Sequence, residues 1–170
     1  MAHIKATVWA RLEERLSVVT PASVHAASAE ELQSLGMSLR KAEYIKDFAS
    51  KIVSGEFALQ AVEQLSDEEA IAALSSLKGI GRWTAEMILL FCLQRPDILS
   101  FDDLAIQRGL RMLYHHRKIT RELFNKYKKR YSPYGSTAAI YLWAISGGAI
   151  EGMQDYAPAK KAVRKTKRNE

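Results

Sequence analysis

An all-α fold, a helical bundle, is what this chain of 170 residues predicts. Three observations carry the prediction. Apolar residues recur at three- and four-residue spacing in one segment after another, which is the period of an amphipathic helix. Ser or Thr stands ahead of several of these segments in the arrangements typical of helix N-termini. No stretch alternates at period two for long, so no strand pattern competes. Hydrophobic residues make up 48% of the chain, enough for one compact domain or two small lobes.

The first helix is expected over Ile4 to Leu16, where Ile4, Val8, Leu12 and Leu16 share a face with Trp9 beside it. Thr20-Pro21 reads as an N-cap with proline at the first helical position, and Ser28-Ala29-Glu30-Glu31 as a capping box. Two short helices follow from these. Ser38 caps a longer helix through Ala42, Ile45, Phe48, Ala49 and Ile52 that stops at Gly55. Ser66-Asp67-Glu68-Glu69 is a further capping box, opening a helix over Glu69 to Ser75. A buried helix containing Met87, Ile88, Leu89, Leu90 and Phe91 ends at Gln94-Arg95-Pro96-Asp97, because proline disfavours helical geometry in the residue before it. Asp102-Asp103 begins a pattern with Leu104, Ile106, Leu110, Leu113 and Tyr114. Thr120 caps Arg121 to Tyr131, Ser132-Pro133-Tyr134-Gly135 breaks the chain, and Ser136 caps Thr137 to Ile145, which ends at Gly147-Gly148.

Between two of these helices lies Leu77-Lys78-Gly79-Ile80-Gly81-Arg82-Trp83-Thr84-Ala85. Gly79 and Gly81 supply backbone freedom that a Cβ would resist, so successive N–H groups can turn outward. The helix that follows aims its partial positive charge at the same place. An anion-binding helix start is one reading; a short inter-helix turn packed on its neighbours is the other. Asp102 and Asp103 likewise read either as cap and dipole partner or as carboxylates available for chemistry. By themselves, Trp83 and Trp143 fit a packed core.

The formal net charge is +6. From Pro158 onward, Lys160, Lys161, Arg164, Lys165, Lys167 and Arg168 face only Glu170, so this end carries +5 and the body is close to neutral. Such a tail either adds non-specific attraction to phosphates or is simply a solvated end. The longest apolar run, Met87 to Leu93, is far short of the roughly 20 residues of a membrane span. The N-terminus lacks a secretory pattern. Cys92 stands alone, which excludes an intrachain disulfide and a cysteine metal cage; its apolar neighbours suggest a core thiol. A cytoplasmic location is the simplest expectation.

Leu77 to Ala85, followed by Phe101-Asp102-Asp103-Leu104-Ala105-Ile106 and by Tyr131-Ser132-Pro133-Tyr134-Gly135-Ser136 ahead of Tyr141-Leu142-Trp143, resembles in order and spacing the DNA-3-methyladenine glycosylase II family. That family consists of helix-hairpin-helix base-excision enzymes, and the resemblance runs from about Ile4 to Gly148. It implies that Lys78, Gly79, Ile80, Gly81, Arg82 and Thr84 hold the backbone of double-stranded DNA. The carbonyls of Ser75, Leu77 and Ile80 would bind a monovalent cation, Na+ or K+. Asp103, the second aspartate of the Asp-Asp-x-x-Ile pattern, is implied to be catalytic, and Trp83 and Trp143 to wall the pocket for the damaged base. Met87 stands where some members have a pocket aromatic, and Gly135 where others have a charged residue.

The activity implied is hydrolytic release of alkylated purines of the 3-methyladenine type. Trp83 replaces the lysine nucleophile of the bifunctional members, so strand cleavage is not expected. The iron–sulfur members use four cysteines, so no cluster is expected here, nor any organic cofactor. Family members carry further helices ahead of the position of His3-Ile4-Lys5-Ala6. The glycosylase domain over residues 1–150 is therefore expected to be N-terminally incomplete, with a basic tail over 151–170, and self-association or a partner segment is expected to cover the face this exposes. No membrane partner is expected. The rival reading is a non-catalytic helix-hairpin-helix DNA-binding module, inactive for want of those helices. A purely structural helical interaction domain is a third.

Overall fold

The computed structural model describes residues 2–158, with side chains from Thr7 onward. Ten helices and no strand are found among the described residues. The chain divides into two compact units between Leu93 and Gln94.

The first unit holds α1 (Ala2–Leu16), α2 (Pro21–Ala26), α3 (Ala29–Ser34), α4 (Leu39–Val53), α5 (Leu59–Val62), α6 (Asp67–Ser75) and α7 (Arg82–Phe91). Its helix starts follow from side-chain oxygens replacing the missing intrahelical acceptors. Thr20, Ser28 and Ser66 each form a reciprocal capping box, and Ser38 accepts the Lys41 N–H. Each such cap contributes about 1 kcal/mol. Leu12, Val24, Ala27, Leu32, Ala42 and Ala49 form the core, with Val8, Leu16, Val19, Leu35 and Met37 packed against it. Helix α4 packs on α2 and α3 in this core, and α6 packs separately on α7. Trp9 stays half in solvent at 53% exposure. The short helix α5 has no side-chain cap, and nothing in its local sequence announces it.

The second unit holds α8 (Leu104–Tyr114), α9 (Arg121–Tyr131) and α10 (Gly135–Ser146). Helix α10 packs chiefly on α8, and they meet at Gly109, where an added Cβ would lie 2.4 Å from the Leu142 carbonyl oxygen. Residues 151–158 are tied back to α8. Asp155 receives two bonds from the Arg111 guanidinium, at 2.7 and 2.6 Å, and Tyr156 lies against His115. The guanidinium also holds the Asp155 carboxyl below the usual aspartate range. The basic residues Lys160 to Arg168 lie outside the described residues.

Two expectations are corrected here. Ser136 does not cap α10 but sits inside its first turn, accepting the Ile98 N–H at 3.0 Å and donating to the Arg95 carbonyl. The helix is instead capped from a distance, since Asp97 Oδ1 accepts the Gly135 N–H at 2.9 Å and the Pro96 carbonyl accepts that of Ser136 at 3.0 Å. Cys92 is exposed rather than a core thiol. It is the C-cap of α7, where the chain leaves the packed face formed by Ala85, Leu89 and Leu90.

Candidate functional site

The hairpin of the first unit joins α6 to α7 through residues 76–81. Ile80 N–H closes the turn on the Leu77 carbonyl at 3.2 Å. Gly79 has φ +82, and a Cβ there would fall 2.2 Å from Tyr44 Cδ2, so both the backbone and the ring beneath it require glycine. Gly81 departs from the sequence expectation. Its φ of −87 and ψ of 172 are ordinary extended values, and an added Cβ would meet nothing within 4 Å. Glycine matters there for a different reason. As the N-cap of α7 it offers no side-chain oxygen, so the first-turn amides are not engaged by a cap and lie at the positive end of the helix dipole. That arrangement suits an anion supplied from outside.

The hairpin cations are not bare charges. Lys78 Nζ lies 3.0 Å from Asp47 Oδ1 on α4, and Arg82 bridges Glu68 at 2.8 Å and Glu86 at 3.1 Å. These carboxylates raise the Arg82 proton affinity above its ordinary value, Glu68 foremost. Arg82 and Glu86 are four apart on one helix, a pairing visible in sequence; Asp47, Glu68 and Tyr44 reach the hairpin only through the fold. Trp83 and Met87, also four apart, share a face of α7, with Trp83 45% exposed and Met87 half-buried. Thr84 is half-buried beside them. Ser75 closes α6, and the N–H groups of Ser76 and Leu77 are spent on Ala72, Ala73 and Leu74 carbonyls.

In the second unit the two aspartates separate cleanly. Asp103 is the N-cap of α8, only 7% exposed, and its Oδ1 accepts the Ala105 and Ile106 N–H groups at 2.8 and 2.9 Å. Asp102 is a surface group, 3.8 Å from the guanidinium of Arg121, which itself lies over the Phe101 ring at 3.7 Å. Trp143 is half-buried on α10. The structure thus brings together the hairpin, Trp83 and Met87 in one unit, and Asp103 and Trp143 in the other.

Residues 3–133 match the family described as HhH-GPD superfamily base excision DNA repair protein. This chain is a member of that superfamily. The HhH-GPD chain is 38% identical over 129 residues to DNA-3-methyladenine glycosylase 1 of Schizosaccharomyces pombe, covering 75% of itself and 57% of that relative. It therefore spans little more than half the length of that protein. Among solved structures it is similar to a DNA-3-methyladenine glycosidase of Bacillus halodurans, with TM-score 0.77 and 32% identity over 89% of this chain and 71% of the other. It is also similar to an S. pombe 3-methyladenine DNA glycosylase solved with abasic DNA, with TM-score 0.69 and 34% identity over 81% and 69% of the two chains. No described helix is long and apolar enough to cross a membrane.

Proposed function

We propose that this HhH-GPD chain is a monofunctional DNA glycosylase that hydrolyses the N-glycosidic bond of alkylated purines of the 3-methyladenine type. The observation that carries the reading is Asp103, a carboxylate 7% exposed at a helix N-terminus, in a chain whose relatives bear the glycosylase name. Breaking the bond leaves positive charge on the deoxyribose, which an ionised Asp103 stabilises while it orients or deprotonates the attacking water. Alkylation at N3 or N7 makes the purine cationic and already a good leaving group, so no strong general acid is required. The aromatic faces of Trp83 and Trp143 attract such a base by cation–π stacking once it has left the duplex.

In this reading the α7 amides hold a DNA phosphate without reading sequence. A monovalent cation held by the Ser75, Leu77 and Ile80 carbonyls would add positive charge beside it. The fit rests on the position of Ser75 at the C-terminal end of α6, where carbonyls run out of intrahelical donors and the dipole is negative. Gly81→Ser separates fold from binding at the hairpin. Serine fits the Gly81 backbone and open space and caps α7, so stability is expected to rise slightly, by about a few tenths of a kcal/mol. Its Oγ then competes with phosphate for the same amides, so duplex affinity is expected to fall; thermal melting and fluorescence anisotropy read the two changes. Affinity that rises or stays constant would reject the amide–phosphate contact.

The direct test is release of free 3-methyladenine and 7-methylguanine from methylated duplex DNA, which is the expected result. A folded chain that binds DNA but releases neither base is the non-catalytic binding module instead.

A further inference from the structure

The near-neutral body is an average of opposite parts. Residues 1–93, which include the hairpin, carry nine basic and twelve acidic side chains, and residues 94–158 carry ten and six. Within the latter, residues 117–130 hold seven basic side chains against Glu122 alone. Helix α9 turns Phe124 and Tyr127 into the core, which leaves Lys126 and Lys129, three residues apart, together on the solvent side. Arg117 and Lys118 lead into the helix and are likewise exposed.

Among the described residues, none of Arg117, Lys118, Lys126 and Lys129 has a carboxylate within ion-pair distance. The hairpin cations Lys78 and Arg82, by contrast, are both ion-paired. Dipole stabilisation accounts for the cations of the last turn, Lys128 to Arg130. It does not account for Arg117, Lys118 or Lys126, which lie before that turn. Clustered like charges without acid partners repel one another in the folded state, so fold stability does not explain them either.

We infer that Arg117, Lys118, Lys126 and Lys129 form a second phosphodiester-binding surface, which attracts the nucleic-acid backbone independently of the hairpin and without sequence readout. The inference rests on the DNA-glycosylase reading for its choice of polyanion. Exposed ammonium and guanidinium groups whose neighbouring rings, Phe124 and Tyr127, are turned into the core suit phosphates rather than bases. They also supply the long-range attraction that a net-negative hairpin unit lacks.

The test compares the full chain with the fourfold variant Arg117→Gln, Lys118→Gln, Lys126→Gln and Lys129→Gln, the basic C-terminal end being the same in both. Duplex affinity is measured between 50 and 200 mM salt, roughly the range over which counterion release is read. The slope of log Kd against log salt is expected to fall by about 2–3, at roughly 0.9 for each phosphate the variant no longer neutralises. A fall of less than about 0.9, the share of a single phosphate, overturns the inference, as does a variant that loses binding to phosphatidylserine vesicles while keeping the parent slope on DNA. Helical circular dichroism equal to the parent excludes misfolding of these surface substitutions. Base release by a parent whose variant keeps its slope rejects this surface alone, whereas a parent that neither binds DNA nor releases base rejects the glycosylase reading with it.

Discussion

Asp103→Asn is expected to reduce release of methylated purines by about a hundredfold or more, the scale of removing one electrostatic stabiliser from an active site, with little change in stability. The two expectations come from different properties of one side chain, its charge and its capping oxygen. Asparagine keeps a carbonyl oxygen in the position of Oδ1, where the Ala105 and Ile106 N–H groups donate, and it is as good an N-cap as aspartate. What it cannot supply is negative charge for the developing sugar cation. Asp103→Ala removes charge and cap together, and is expected to cost a further 0.5–2 kcal/mol or so of stability. Asp102→Asn is the matched control, because Asp102 is exposed and only loosely paired with Arg121 at 3.8 Å; its base release should stay within about threefold of the parent, less than 1 kcal/mol in barrier. Single-turnover release from methylated duplex, with thermal melting of each variant, separates the cases. Near-parental activity in Asp103→Asn, or its loss in Asp102→Asn, would move the carboxylate assignment.

How far these groups are legible in the sequence depends on whether their partners are local. The caps at Thr20 and Thr120 and the capping boxes at Ser28 and Ser66 are complete within four residues, and the structure has each where the sequence predicts it; that Thr20 also forms a reciprocal box with Ser23 is seen only in the structure. Asp103 as a cap is equally local. Ser136 reads like another member of that set, yet its oxygen is claimed by Ile98 and Arg95, and the cap of α10 comes from Asp97. A cap supplied from 38 residues away leaves no mark on the sequence near the helix. The hairpin divides in the same way. Two glycines two apart are visible, but only the Tyr44 ring and the positive φ at Gly79 show that one is required by the fold while the other is not. Charge is visible but averaged: a count over the whole body conceals the basic run at 117–130, which a count over fourteen residues reveals.

Gly109 is the position where that limit has the largest consequence for stability. Inside the apolar pattern of α8 it reads as a weak helix residue, and alanine would be expected from propensity alone to stabilise the helix by up to about 1 kcal/mol. The packing reverses the sign. A Cβ at Gly109 would lie 2.4 Å from the Leu142 carbonyl oxygen, 3.0 Å from its carbon and 3.1 Å from its Cα. All three contacts are backbone, so no side chain can rotate away and α10 itself must shift. Overpacking of this kind typically costs 1–3 kcal/mol, occasionally more, and Gly109→Ala is expected near the upper end at about 2–3 kcal/mol net. For a chain of this size that lowers the melting temperature by roughly 5–10 °C. The displacement also has a functional reading, because α8 carries Asp103 at its first turn and α10 carries Trp143. Moving one helix on the other changes the relation between those two residues, so base release measured well below the melting temperature is expected to fall as well. A melting temperature equal to the parent's would mean that α8 and α10 do not approach this closely. A lower melting temperature with unchanged base release would show that Trp143 need not hold a fixed place relative to Asp103 for the chemistry.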